Sequence, residues 1–378
     1  MSTNPEETDE YLKIQVQNIE RSNIGDIKFN LLISTNLPTY RKQRYTITRD
    51  YSELDNLYQY FDKTFPEQLP PPPPPKSNDE RFLVNATQTF FDRLLEKRIL
   101  VRSEGLRSFV ESEFAFLPPS PTNSKNKGFM KSLRSSSSVK EVDAFFDTAR
   151  TETTGFEAGM IAFGRGNDKI AKLERGNFAF GVYRNYNMLS LFGKREEIGK
   201  ASGEVAAALA VLTLDDKASL NGPIKRLSKV FSGAEDLHNR QAAYLSGAFN
   251  DECSMHIKGA LGVEGALTYR SELLADYDQA CKTTAKKLQV MQKLKASSSI
   301  QAHKVDAAMH DLEETKQIET ETHETLKRVT EDLRGSYKEY RETREEDLRG
   351  YLEGFVRRQV EFGKAQVRVW SSLSLDGV

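Results

Sequence analysis

The chain has 378 residues and carries 54 Lys and Arg against 55 Asp and Glu. That length exceeds one small domain and predicts two. A net charge of −1 excludes nucleic-acid binding by bulk charge, so attraction to an anionic surface must come from local clusters. Only Cys253 and Cys281 are present, which argues against a disulfide framework and for a reducing, cytoplasmic setting. No apolar run approaches the ~18 residues of a membrane span. Residues 1–10 are acidic and polar, unlike a signal peptide, and are expected to be a disordered N-terminus. Any membrane contact is therefore expected to be peripheral.

Residues 11–117 mix strand and helix patterns. Tyr11 to Val16 alternates, as does Asp26 to Thr35 with Ile27, Phe29, Leu31 and Ile33 on one face, and Gln43 to Thr48 makes a third strand. Tyr51, Leu54, Leu57, Tyr58 and Phe61 switch to helical spacing. Pro70 to Pro75 must be extended, because each ring fixes φ and restricts the residue before it. Ser77 or Asn78 is the expected cap of a helix from about Asp79 to Glu96, and Ser103 of another.

Residues 118–138 read as a linker of Pro, Ser and Lys. From Val139 onward the only proline is Pro223, and apolar residues recur at helical spacing. Asn221-Gly222-Pro223 signals a turn and Ser297 to Ser299 a break. Three helices are expected, each of roughly 70 residues and on the order of 100 Å long. Such rods cannot wrap a compact core and must lie against one another as a coiled bundle. A thin stripe on the third (Val305, Met309, Leu312, Ile318, Leu326, Val329, Leu333, Tyr337, Tyr340) leaves a further apolar face for a dimer to cover. Glycines in the first helix, each unfavourable by about 1 kcal/mol against Ala, allow bends or close approach.

Five stretches carry a resemblance: Leu37-Pro38-Thr39-Tyr40, Arg49 to Leu54, Pro70 to Lys76, Phe90 to Leu95, and Ser103 to Phe109. With the long helices they make the chain similar to a sorting nexin of the PX-BAR type. Gly128 to Ser132 and Val139 to Phe146 look most like the retromer-associated five/six-like branch. That branch has a long helical insertion after the Pro loop; this sequence lacks it, so cargo binding by that insertion is not carried over. The resemblance implies an α+β PX domain, with a three-stranded antiparallel sheet plus helices, over residues 11–117. It also implies an all-α, dimerising BAR domain of three long helices over 139–378.

The resemblance also implies a phosphoinositide pocket, here altered. The family's 3-phosphate ligand is an Arg directly before the motif aromatic, and that position holds Asp50. A unit charge near 4 Å is worth about 4 kcal/mol at an effective dielectric of 20, and Asp reverses its sign toward phosphate. Arg49 lies one residue earlier, on the opposite strand face, and substitutes only if the strand bulges. Tyr51 keeps the position that stacks on the inositol ring, and Lys76 that of the Pro-loop cation. The window matching the family's helix Arg is Asn85-Ala86-Thr87, without a cation. Phosphatidylinositol-3-phosphate binding is thus expected to be weak. Tyr51 reads alternatively as a core aromatic and Lys76 as a solvated charge.

Two further clusters suit an anionic bilayer. In the linker, Lys125, Lys127, Lys131 and Arg134 flank Phe129, Met130 and Leu133 without an intervening acid. On a helix the three apolar residues share a face ringed by cations, which fits shallow insertion. A disordered basic linker, or a helix docked on the bundle, fits equally. At the predicted hairpin tip, Lys282, Lys286, Lys287, Lys293, Lys295 and Lys304 surround the Ser break, also without acids. Each contributes roughly 1 kcal/mol near an anionic surface, unless the run is merely solvated.

No nucleophile–base constellation, phosphate loop or complete metal-ligand set is present, so neither catalysis nor a cofactor is expected. The expected partners are an anionic or phosphoinositide-containing membrane, a second copy or another sorting nexin, and a retromer-type cargo complex. The expected place is the cytoplasmic face of early endosomes. The rival reading is an adaptor whose PX domain binds protein ligands and whose helices only oligomerise.

Overall fold

The computed structural model describes residues 10–21, 26–119, 141, 143–175, 198–212, 221–296 and 302–373. Strands β1 (Leu12–Arg21), β2 (Ile27–Thr35) and β3 (Arg44–Asp50) form an antiparallel sheet in that order. Its buried face is the predicted one: Ile27, Phe29, Leu31 and Ile33 on β2, with Leu12, Ile14 and Val16 on β1. A register shift between Val16 and Asn18 resets the alternation, so that Ile19 faces the core. β3 runs to Asp50, two residues beyond the expected end.

The chain continues through α1 (Tyr51–Thr64), a 3₁₀ turn (Pro66–Gln68), α2 (Glu80–Glu96), α3 (Arg98–Val101) and α4 (Glu104–Glu111). The cap of α2 is Asp79, not Ser77 or Asn78: its carboxylate accepts from the Phe82 amide (3.0 Å), while Ser77 Oγ accepts from the Asp79 amide one step earlier. A carboxylate is as good a cap as a hydroxyl and also favours the positive helix end. Ser103 caps α4 as expected, accepting from the Leu106 amide. Gln88 on α2 closes the outer edge of β1, accepting from the Val16 amide and donating to the Ile14 carbonyl. Gly105 lies under the Tyr60 ring, where a Cβ would stand 2.1 Å from Cε1, so any larger residue would push the ring aside.

The remaining helices are α5 (Ala144–Arg175), α6 (Ile198–Leu212), α7 (Asn221–Ser246), α8 (Ala248–Lys295) and α9 (Ala302–Ser371). The third expected rod is present as α9, 70 residues long. The second is divided: Gly247 interrupts it between α7 and α8. Asn221-Gly222-Pro223 is not a turn but the first turn of α7, where the missing proline N–H has no helical partner to lose. The first rod begins at Ala144 rather than Val139, because Asp143 accepts from the Phe145 amide. Residues 176–197 and 213–220 lie outside the described residues.

The described chain falls into two compact units. The first comprises the described parts of Met1–Pro74, Val84–Glu157 and Lys258–Glu342. Here the sheet domain is packed on the helices. Leu69, in the left-handed region at φ 47°, joins a core of Phe146, Ala149, Val263, Ala266, Leu267, Leu333 and Tyr337. A left-handed leucine costs roughly 1–2 kcal/mol, which burying its side chain, at about 2 kcal/mol, offsets. Beside it Glu67, nearly buried, binds Arg328 at 3.0 Å. Arg270 pairs with Glu141 and lies 3.9 Å over Phe146; Arg334 pairs with Asp143 and lies 4.3 Å over Phe145. Each cation thus has an acid and an aromatic face. Leu326, Val329, Leu333 and Tyr337 of the predicted stripe are buried, but Met309 is exposed.

The second unit comprises the described parts of Pro75–Leu83, Ala158–Ile257 and Thr343–Val378. Phe163, Phe249, Tyr351 and Phe355 form an aromatic cluster, and Cys253 Sγ lies 2.8 Å from the Tyr351 hydroxyl. α6 and α7 pack side by side, with Ser228 Oγ donating to the Ala206 carbonyl.

Candidate functional site

Arg49 is 4% exposed. Strand alternation turns it to the inner face with Tyr45 and Ile47. There it donates from Nε to the Phe109 carbonyl (2.8 Å), from Nη2 to that of Ser112 (2.5 Å), and from Nη1 to those of Phe114 and Thr48 (3.3 Å each). Glu53 Oε1 stands 3.6 Å from Nη1, and the guanidinium lies 5.5 Å from the Phe109 ring centre. Burial lowers the Arg49 pKa, and Glu53 opposes that shift. The guanidinium is spent on binding the segment after α4 to the sheet. No bulge at β3 re-aims it; β2 and β3 pair without a register shift.

Asp50 is the cap of α1. Its Oδ1 accepts from the Glu53 amide (2.9 Å) and from Ser52 Oγ (2.6 Å), and Glu53 Oε2 accepts in return from the Asp50 amide (2.8 Å). This is a reciprocal capping box. Burial raises the Asp50 pKa, but the bonds from Ser52 and Glu53, with Lys28 on the facing strand, outweigh it and leave the group below its ordinary value. The Asp50-x-x-Glu53 spacing in the sequence is itself the signal of this cap. Glu53 also holds the segment after α4, where its Oε1 accepts from the Phe116 amide.

Tyr51 is half-buried and donates from its hydroxyl to the Pro74 carbonyl (2.7 Å), which ties the Pro loop to α1. Burial, with Asp55 adding, pushes its pKa up to about 12. Asn85 is exposed, whereas Ala86 and Thr87 are buried. Lys76 is exposed.

The tip lysines are placed by the antiparallel ends of α8 and α9. Lys286, Lys293, Lys295 and Lys304 are exposed. Lys282 pairs with Asp278 one turn away on α8 and Lys287 with Asp311 across to α9 (2.5 Å each), and the Lys287 hydrogen bond holds the Asp311 carboxyl below its ordinary value. Leu288 and Val290 are exposed among them. The Ser297–Ser299 break lies outside the described residues, as do Lys125, Lys127, Phe129, Met130, Lys131, Leu133 and Arg134 of the linker.

A feature that sequence reasoning missed lies in the C-terminal half of α9. Leu352, Val356, Val360, Val367 and Trp370 are 40–65% exposed. At 3.6 residues per turn they span only about 80° of the helix surface. Val360, Gly363, Lys364, Val367 and Arg368 line a groove there.

The family model described as "Vps5 C terminal like" matches residues 186–375, half of the chain. The chain belongs to this family. The PX domain model matches residues 37–113. The chain is thus a sorting nexin with a PX domain followed by the long helices of a BAR domain, in a non-enzymatic family. It is similar to "Vacuolar protein sorting-associated protein 17" of Saccharomyces cerevisiae, 24% identical over 353 residues, covering 91% of this chain and 60% of the relative. The Schizosaccharomyces pombe protein of the same name is 20% identical over 373 residues, covering 96% and 64%. The chain therefore spans less than two thirds of the length of these relatives. Among solved structures, the SNX-BAR Mvp1 tetramer matches with a TM-score of 0.50 at 12% identity, over 95% of this chain and 99% of that one, which supports the fold alone. Among the described residues no helix is long and apolar enough to cross a membrane, and no three metal-ligating side chains cluster.

Proposed function

We propose that this Vps5-like sorting nexin is a peripheral membrane protein that pairs through α9, senses or induces curvature, and supports endosomal sorting and tubule-based retrograde transport. The observation that carries the reading is the exposed stripe Leu352–Trp370. An apolar helix face of this length is a liability in water unless another helix covers it. Residues 352–370 carry Arg357, Arg358, Lys364 and Arg368 against Glu353 and Glu361, a local excess of two positive charges. Two such faces repel, so a non-identical nexin with an acidic face is the better partner than a second copy. The relatives' names, which speak of vacuolar protein sorting, support the sorting role. Residues 11–117 then act as the PX domain and 139–378 as the BAR domain, joined by the 118–138 linker. The linker motif and residues 139–146 favour a place beside the five/six-like branch, and the early endosome as the site of action.

The PX pocket in this reading is weak for phosphatidylinositol-3-phosphate. Arg49 is spent on main-chain carbonyls, Asp50 on a helix end, and Asn85-Ala86-Thr87 supplies no cation. Membrane attraction falls to the tip lysines and the linker cations, and a retromer-type complex supplies cargo. The test is incubation with phosphatidylserine vesicles, alone and with a second sorting nexin, followed by electron microscopy. Tubules with the pair are expected; unchanged spherical vesicles in both mixtures would refute the remodelling role. The adaptor reading gains from the same pocket geometry. Neutral substitution of Lys286, Lys293, Lys295 and Lys304 separates the two, since an adaptor keeps its recruitment.

A further inference from the structure

The segment after α4 presents apolar side chains in an unusual way. Phe114 is 84% exposed and Leu117 79%, while Phe116 between them is buried against Phe109. This exposure is not slackness of the backbone. Arg49 holds the carbonyls of Ser112 and Phe114, Ser112 Oγ donates to the Phe114 carbonyl (2.9 Å), and Glu53 takes the Phe116 amide. The buried Arg49–Glu53 pair thus clamps a strap that points an aromatic and an aliphatic side chain into solvent. Fixing the main chain beneath such groups lowers the entropy that binding would otherwise cost.

What lies alongside indicates the occupant. The Arg41 amide donates to Glu111 Oε1 (2.6 Å), and Lys42 Nζ stands 4.0 Å from Glu113 Oε1, so residues 41–44 run beside the strap. Arg41, Lys42 and Arg44 are all exposed. The sequence that follows, from Phe114 to Lys140, contains five cations (Lys125, Lys127, Lys131, Arg134, Lys140) and no acid. Against Glu111 and Glu113 the three cations leave one net positive charge beside the apolar pair, and the five that follow in sequence add to it, which suits the boundary between acyl chains and anionic headgroups.

We propose that Phe114 and Leu117 form a membrane-inserting wedge, independent of any phosphoinositide pocket, that enters an anionic bilayer while Arg41, Lys42 and Arg44 lie against its headgroups. It rests on the peripheral-membrane reading above and names a contact for it. In this arrangement an Arg beside the usual phosphate position serves the membrane differently, by fixing the strap that carries the wedge.

The experiment uses the full chain and vesicles of phosphatidylcholine with or without about 20 mol % phosphatidylserine, enough to give an anionic surface. Phe114→Trp places an indole at the wedge, read as a difference against the unaltered chain. A blue-shifted emission on phosphatidylserine vesicles, quenched by brominated acyl chains, is expected. Phe114→Ser with Leu117→Ser should weaken vesicle partitioning about ten-fold or more, with circular dichroism unchanged because both side chains are already in water. If the unaltered chain binds vesicles but the introduced indole neither shifts nor quenches, or the double serine variant binds as well as before, the wedge is wrong and the wider reading stands. If the double variant loses a protein partner and keeps its vesicle affinity, the patch is a protein-docking face and the proposal fails. If the unaltered chain binds no vesicle, either alone or with a second sorting nexin, both fall.

Discussion

Arg49→Ala separates an internal clamp from a lipid ligand. An exposed pocket arginine contributes within about 0.5 kcal/mol to stability, so its removal would cost affinity and little else. Arg49 instead sits at 4% exposure with Glu53 at 3.6 Å and carbonyls of Phe109, Ser112 and Phe114 on its nitrogens. Breaking a buried ion pair costs about 3–5 kcal/mol, because the surviving charge is left in low dielectric. Glu53 keeps two amide donors, from Asp50 and Phe116, which moderates the penalty; the orphaned carbonyls add about 1 kcal/mol each. A local loss of about 4 kcal/mol is expected. Amide hydrogen exchange at Phe114 to Phe116 reads it directly, as a fall in protection of roughly a thousand-fold. Unchanged protection with abolished phosphatidylinositol-3-phosphate binding would refute the reasoning and restore Arg49 to the pocket.

Three other expectations follow from the same geometry. Leu69→Ala should lower the stability of the first unit by about 2–3 kcal/mol in urea titration, since it opens a gap among Phe146, Val263 and Leu333; a loss below about 0.5 kcal/mol would show that the site does not anchor the sheet domain. Arg328→Glu places a second acid at nearly buried Glu67 and should lower the melting temperature, with Glu67→Gln in the same chain restoring part of it. Glu252 is pushed up to about 7 by burial, then by Asp251 and Asp347. The folded state therefore holds a proton there that the unfolded state has released between about pH 4.5 and 7, so this group's contribution to stability falls as pH rises through that window. Glu252→Gln should flatten that part of the stability–pH curve by about 1 kcal/mol after allowing for partial solvent screening; an unaltered difference curve would contradict it.

Local pattern was legible where the contacts are local. The alternation of β2, the cap at Ser103 and the 70-residue run of α9 each depend on neighbours a few positions away. Gly247 carries no local break signal, since one glycine in a helical pattern is usually tolerated. Arg49 could not be read from sequence, since the carbonyls it binds lie 60 to 65 residues away. Nor could Leu69, whose packing partners include Val263, Ala266 and Leu333 and whose positive φ has no residue signature. The stripe on α9 was available: Leu352, Val356, Val360, Val367 and Trp370 repeat at helical spacing. The many charges between them mask the period.

The pairing of α9 is the claim on which curvature, recruitment and partner choice all depend. Sedimentation equilibrium of the unaltered chain and of Val360→Asp with Val367→Asp, each alone and mixed with a second sorting nexin, measures it without a membrane. The account predicts a dimer mass that is strongest in the mixture and is lost in the double variant, whose helical circular dichroism stays the same. A monomer in every mixture, or a dimer indifferent to both substitutions, would contradict it.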